Sequence, residues 1–232
     1  MRPMDVERLL EQKRQTPAAA RNLLKALQAL FRWALKNKKV THDPTRDADP
    51  IPYSTDGHHS WTEDEVAQFE VRHPLGTPAR LAMTIMLYTG CRREDVVRLG
   101  PQHIKNGRLR YTQAKNEHRK PVTMNIPVHE RLSEAINASP SGHMTFLVTA
   151  YGKPFTPAGF GNKFRQWCNE AALPQCSSHG LRKAIATRLA ERGATSQEIM
   201  SITGHVSLSE AERYTKEADK TKLADSAMEK FK

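Results

Sequence analysis

The chain is poor in cysteine, in aromatic residues and in acidic charge, and it has no long apolar run. Its three cysteines, Cys91, Cys168 and Cys176, are an odd number with no pair at metal-ligand or redox spacing. That pattern argues against a zinc site and against a disulfide framework, and it suits a reducing compartment. No stretch approaches the roughly 18 apolar residues that a membrane-spanning helix requires, and no signal-peptide core follows Met1-Arg2-Pro3-Met4-Asp5. A cytoplasmic chain without a membrane partner is expected. Internal repeats and low-complexity segments are lacking as well, so the chain reads as an ordinary folded body.

The shortage of negative charge says most about partners. Against 36 Lys+Arg there are 25 Asp+Glu, leaving a formal charge of +11 and a pI near 9.7. Such a balance favours a polyanion through counterion release, with nucleic acid the first candidate. The basic residues are spread through predicted helices and hairpins, so the charge should form a face on a folded surface. With 232 residues and 38% hydrophobic content, the chain can bury one domain core and carry a smaller piece beside it.

Turn and cap signals divide the chain. After a short helix around Val6 to Gln12, Thr16-Pro17 opens a long helical segment to about Lys39, with Leu24, Leu27, Phe31, Ala34 and Leu35 on one face. A breaker-rich stretch follows from Asp43-Pro44 through Pro50-Ile51-Pro52 to Asp56-Gly57-His58-His59, and it reads as a linker. What precedes it is too small to bury much core alone. Thr62 and Glu65 then form a capping box, helical periodicity runs from Leu81 to Tyr88, and Glu94 to Leu99 forms a short helix. Period-two alternation over Arg108 to Ala114 and Val122 to Ile126 predicts a β-hairpin around Asn116-Glu117-His118-Arg119. Further helices are predicted over 130–137, 157–172, 181–192, 196–203 and 207–216, the last behind a Ser207 and Glu210 capping box. The expected class is mainly α with a small antiparallel β-sheet (α+β).

Five residues carry chemistry: Arg92 and, in the second half of the chain, His179, Arg182, His205 and Tyr214. Cleaving a phosphodiester without a metal places negative charge on the non-bridging oxygens, and two guanidinium forks answer it best. Arg92 sits at a break between helices, and Arg182 is expected at a helix start, where backbone amides also favour anions. A tyrosine of ordinary pKa, about 10, is protonated at neutral pH and needs a base nearby, which His179 or His205 supplies. Lys115 on the hairpin suits a general acid for the leaving oxygen, with Lys120 as a competitor. Asp95 reads as an orienting partner for an arginine. His58, His59, His118, His129 and His143 have no partner at ligand spacing and read as surface residues. No cofactor and no metal is called for.

These residues resemble the catalytic domain of the tyrosine recombinases, the phage-integrase family. Thr89-Gly90-Cys91-Arg92-Arg93-Glu94-Asp95 is similar to its first arginine box, with Glu94 where a small hydroxyl residue is common. His179-Gly180-Leu181-Arg182-Lys183 resembles the second box, Thr203-Gly204-His205 the third, and Tyr214 falls where the family keeps its nucleophile. Lys115 in Thr112-Gln113-Ala114-Lys115 matches the hairpin lysine. The resemblance implies a site-specific DNA recombinase with a 3′-phosphotyrosyl intermediate, serving a prophage or genomic island. Its catalytic residues would be Arg92, Lys115, His179, Arg182, His205 and Tyr214, supported by Asp95, with His179 moving the proton and His205 bonding the phosphate.

The same resemblance divides the chain into a partial core-binding region over 1–52, a catalytic domain over 53–218 and a C-terminal helix over 219–232. That last helix carries Leu223, Ala224, Ala227, Met228 and Phe231 as an apolar stripe, which either folds back or docks on a neighbouring protomer. Expected partners are a double-stranded DNA attachment site, further copies of the chain in a tetramer on DNA, and accessory DNA-bending proteins, in a nucleoid-associated setting. The short N-terminal region motivates an alternative, a non-cleaving remnant that occupies sites or regulates a full-length relative. A type IB topoisomerase-like relaxing enzyme would share the chemistry without synapsis.

Overall fold

A computed structural model describes residues 1–52, 57–115, 117–217 and 220–229. Asp56 of the expected linker, Asn116 of the hairpin turn and Phe231 of the terminal stripe lie outside the described residues, as does the Leu223 side chain. The chain forms two compact units, Met1–Gly57 and His58–Lys232.

In the first unit, α1 (Pro3–Glu11) and α2 (Pro17–Lys36) meet through Val6, Leu10, Ala20 and Leu24, the apolar faces that helical spacing provides. Pro17 occupies the first turn of α2, as expected. Thr16 does not cap it, because its hydroxyl donates backwards to the Lys13 carbonyl. The start of the breaker-rich stretch is folded rather than extended. Asp43 Oδ1 accepts from both the backbone N–H and the hydroxyl of the fully buried Thr45, and Ala48 and Ile51 close the edge of the small core.

The second unit holds the main core. It runs through α3 (Glu63–Arg72), α4 (Pro78–Thr89), the short α5 (Arg93–Val96) and a three-stranded antiparallel sheet. The strands, β1 (Ile104–Lys105), β2 (Arg108–Thr112) and β3 (Thr123–Pro127), lie in that order. Leu109 opposes Ile126 and Tyr111 opposes Met124, and all four face inwards, so alternation on both strands fixes the register. Helices α6 (Glu130–Ala138), α7 (Pro157–Glu170), α8 (Ser178–Glu191), α9 (Ser196–Thr203), α10 (Leu208–Glu217) and α11 (Lys220–Glu229) complete the chain. The class is mainly helical with a small antiparallel sheet, as the sequence indicates.

Helix α4 is buried almost all round, through Leu81, Met83, Ile85 and Met86, and shares its core with Leu181 and Ala184 of α8. Beside it Trp61, Phe69, Phe160, Phe164 and Trp167 pack ring against ring. Each such side chain contributes about 1.5–3 kcal/mol on burial. A smaller cluster of Ala186, Ala190, Ile199 and Ala211 ties α8, α9 and α10 together, with Tyr214 packed at its edge.

Element bounds differ from expectation in places. Strand β1 is only two residues long and carries no period to detect. Helix α5 stops at Val96, short of Leu99. Helix α8 begins at Ser178, because the Ser177 hydroxyl accepts from the Gly180 N–H at 3.3 Å. Arg182 therefore lies inside the helix, past its free N-terminal amides, and His179 takes the first turn.

Candidate active site

Arg92 owes its place to the end of α4. Gly90 terminates that helix in the left-handed region at φ +59°, and a Cβ there would press on Thr203 Cγ2 and Ile185 Cγ2 at 3.2 and 3.3 Å. The chain turns into α5 with Arg92 as its N-cap residue. Asp95, 2% exposed, holds this corner: Oδ2 accepts from the Arg92 N–H at 3.1 Å and Oδ1 from the Ala114 N–H at 2.7 Å. One carboxylate thus pins the arginine box to the segment that carries Lys115.

Arg182 is 2% exposed and only half satisfied. Its Nη1 donates to the Gly90 carbonyl at 2.6 Å and to the Thr203 carbonyl. Its Nη2 is buried with no hydrogen-bond partner among the described residues. An unmade bond to a buried charged group costs about 1–3 kcal/mol or more, so an anionic acceptor brought to this arm would be bound strongly. Burial and the nearby Arg92 pull Arg182 down to about 10, which leaves it charged at neutral pH.

The remaining groups converge on the same place. Arg92, Lys115, His179, Arg182, His205 and Tyr214 line one cavity of about 230 Å³, together with Glu210 and Arg213 of α10. Lys120 does not reach it and instead lines an adjoining pocket with Lys115, Gln113 and Arg92. A wider groove of about 740 Å³ leads off past Arg92, Arg93, Arg165, His58 and His179. The His205 ring lies nearly parallel to that of Tyr214, centroids 5.9 Å apart. Ser207, expected to cap α10, turns its hydroxyl to Ser209 at 2.6 Å.

The electrostatics keep both histidines neutral. Partial burial and the charges of Arg182, Arg92, His179 and Lys115 push His205 down to about 3. His179 keeps an exposed side at the rim, yet lost hydration on its inner side, with His58, Arg182, Arg92 and Lys183 nearby, pushes it down to about 4. Neutral imidazoles beside a phenol are proton acceptors. The three cysteines are free and buried, and burial pushes each thiol up to about 12, so none is a nucleophile.

Several residues here were not singled out by the sequence. Gln113 is 2% exposed and spans the site, its Oε1 accepting from Arg92 Nη1 at 2.5 Å and its Nε2 donating to the Thr203 carbonyl at 3.1 Å. Its signal was the inward alternation Leu109, Tyr111, Gln113, which carries a polar residue onto the buried face. Gly204, at φ +68°, makes room for it, since a Cβ there would run into the Gln113 amide. His58 and His59 are exposed, as expected, but neither stands alone. His58 lies 4.6 Å from the His179 ring, and His59 Nε2 pairs with Glu65 at 2.7 Å, with the Cys176 thiol within 4.8 Å. His129 caps α6 and stacks on Tyr88 at 4.4 Å.

Comparison with known proteins follows the same outline. The model of the Phage integrase family matches residues 62–221. Tyrosine recombinase XerC of Roseiflexus sp. is 25% identical over 89% of the chain and 70% of its own length. Tyrosine recombinase XerD of Xanthomonas campestris pv. campestris is 25% identical over 91% of the chain and 71% of its own length. Among solved structures, a lambda integrase dimer bound to a COC′ core site superposes with a TM-score of 0.78 at 18% identity, covering 93% of this chain and 80% of that one. The Tn1549 transposon integrase in complex with circular intermediate DNA gives 0.75 at 18% identity, over 100% and 85%.

Proposed function

Because this chain belongs to the phage integrase family, we propose that the cavity beneath α10 is the strand-transfer site of a tyrosine-type recombinase acting on double-stranded DNA. One observation carries the reading: the six residues line a single cavity, and Nη2 of one of them, Arg182, has no hydrogen-bond partner among the described residues. The chain is a site-specific recombinase by family, and the convergence of these residues on one cavity supports the roles proposed for them.

Arg92 and Arg182 grip the non-bridging oxygens of the scissile phosphate. The Tyr214 phenol oxygen bonds to phosphorus as the P–O5′ bond breaks, its proton passing to a neutral histidine. Lys115 gives a proton to the leaving 5′-oxygen. The product is a 3′-phosphotyrosyl link and a free 5′-hydroxyl, and attack by a second strand's 5′-hydroxyl reverses the step. One phosphoester replaces another, so no ATP is consumed. A set complete in one cavity argues for this reading over a non-cleaving remnant.

The solved neighbours are integrases bound to DNA, as dimers and as a tetramer on a Holliday junction. With its charge of +11, this chain is proposed to assemble on DNA in the same way. The exposure of Ala224, Ala227 and Met228 on α11 supports docking of that helix on a neighbouring protomer. Integration or excision of a prophage or genomic island, nucleoid association and accessory DNA-bending proteins belong to the same proposal. Two plasmids carrying the junctions that border the encoding element test it. Recombinant junctions with the wild type and none with the Arg182→Ala variant are expected, whereas equal yields would contradict it.

A further inference from the structure

Thr203 ends α9 with more bonds than a helix terminus requires. Its carbonyl accepts from Arg182 Nη1 and from Gln113 Nε2 at 3.1 Å. Its hydroxyl donates to the Ile199 carbonyl at 2.7 Å, and a carbonyl can only accept, so the hydroxyl proton is committed there. The same oxygen lies 2.9 Å from His205 Nδ1. With its proton spent, Oγ1 can only accept at that contact, and the proton between the two atoms belongs to Nδ1. Thr203 is fully buried, so water does not compete for these bonds.

We infer that Thr203 is a positioning residue for the strand-transfer chemistry: its hydroxyl fixes His205 as the Nδ1–H tautomer and leaves the Nε2 lone pair free to accept a proton. The inference rests on the recombinase reading for its consequence, though the tautomer itself does not. In this state His205 cannot donate to a phosphate oxygen through Nε2. It must first take a proton, from the Tyr214 phenol or from solvent, and the resulting imidazolium then donates through both nitrogens, to Thr203 and to the phosphate. Proton acceptance and phosphate bonding become successive acts of one ring.

The surroundings favour this order. The groups facing His205 are Arg182 and His179 of α8, Arg92 at the start of α5, Lys115 beyond β2, and Glu210, Arg213 and Tyr214 of α10. Burial of the ring comes first, and the cations that dominate that set add to it in holding the ring neutral. A phosphodiester entering among them offsets their charge and raises the proton affinity of the ring.

Thr203→Val keeps the shape, the backbone carbonyl and the methyl packed at Gly90, and removes only the hydroxyl. The test is ring ¹⁵N NMR of the whole chain near pH 7, with the His205 signals assigned from a His205→Gln variant. The wild type should show protonated Nδ1 and unprotonated Nε2. Thr203→Ser should match it, and Thr203→Val should shift the tautomer ratio roughly fivefold towards Nε2–H, the worth of one net hydrogen bond. A wild-type Nε2–H tautomer, or a ratio unchanged in Thr203→Val, would overturn the proposal. The wild-type spectrum decides even where the valine variant does not fold. Absence of covalent DNA adducts with the wild type would count against the recombinase reading, which the ring spectrum leaves untouched.

Discussion

Arg92 Nη1 donates to Gln113 Oε1 at 2.5 Å, from the start of α5 to the end of β2. The other end of that amide shares the Thr203 carbonyl with Arg182, so the two arginines are joined through one buried side chain and one backbone oxygen. The spacing between the two guanidinium forks proposed to grip the phosphate is thereby set before any phosphate arrives, which is the form electrostatic preorganisation would take here.

Gln113→Leu should preserve the fold and loosen that spacing. Adduct formation on a suicide DNA substrate is expected to slow by up to about 100-fold, the effect of an ångström-scale misplacement, while DNA affinity changes little. Single-turnover rates and equilibrium binding on the same DNA separate the two. Loss of binding with an unchanged rate would contradict the role given to Gln113.

Asp95→Ala should act mainly on stability. It strands the Arg92 and Ala114 N–H groups in a buried corner, a cost of about 2–4 kcal/mol. Urea unfolding measures it, and Asp95→Asn, which keeps one acceptor oxygen, should lose less.

Stability should also fall in acid. In the unfolded chain His179 and His205 titrate near their ordinary 6.5, while in the folded chain they are held near 4 and 3. Between those values the unfolded state binds more protons, so stability is fully present above 6.5 and is lost as pH falls towards 4. His205→Gln removes one of the two groups and should flatten the decline in urea midpoint between pH 7 and pH 4.5. His179 keeps an exposed side and carries the smaller share. A midpoint equally pH-dependent in His205→Gln would place the titration elsewhere.

Strand cleavage should survive EDTA. Charge stabilisation in this site is assigned to Arg92 and Arg182 and leaving-group protonation to Lys115, so the yield of covalent adduct should be the same with and without chelator. A strict divalent-cation requirement would contradict that assignment.

Much of this was legible in the sequence because it rests on local rules. The hairpin followed from period-two alternation, and the Thr62 and Glu65 capping box starts α3 as written. The residues singled out for chemistry stand in short motifs along the sequence, and the fold brings them to one cavity. Gln113 and Thr203 were quoted only as members of motifs and given no role, because alternation can place Gln113 on the buried face but does not name its partner 90 residues away. The start of α8 lies three residues before the expected 181, because the bond from the Gly180 N–H to the Ser177 hydroxyl draws Ser178, His179 and Gly180 into the first turn. His58 gave no signal at all, being an exposed residue whose neighbour His179 is distant in sequence.

The most direct measurement is covalent capture. Wild-type protein and the Tyr214→Phe variant are incubated in EDTA with DNA spanning the borders of the encoding element, denatured in detergent, and the attached strands are recovered and sequenced. Strands joined to the wild type through a 3′-phosphate, with none on the variant and with DNA binding retained by both, are the predicted result. Equal adduct yield in Tyr214→Phe, or no adduct from wild-type protein bound at its own site, would contradict the account.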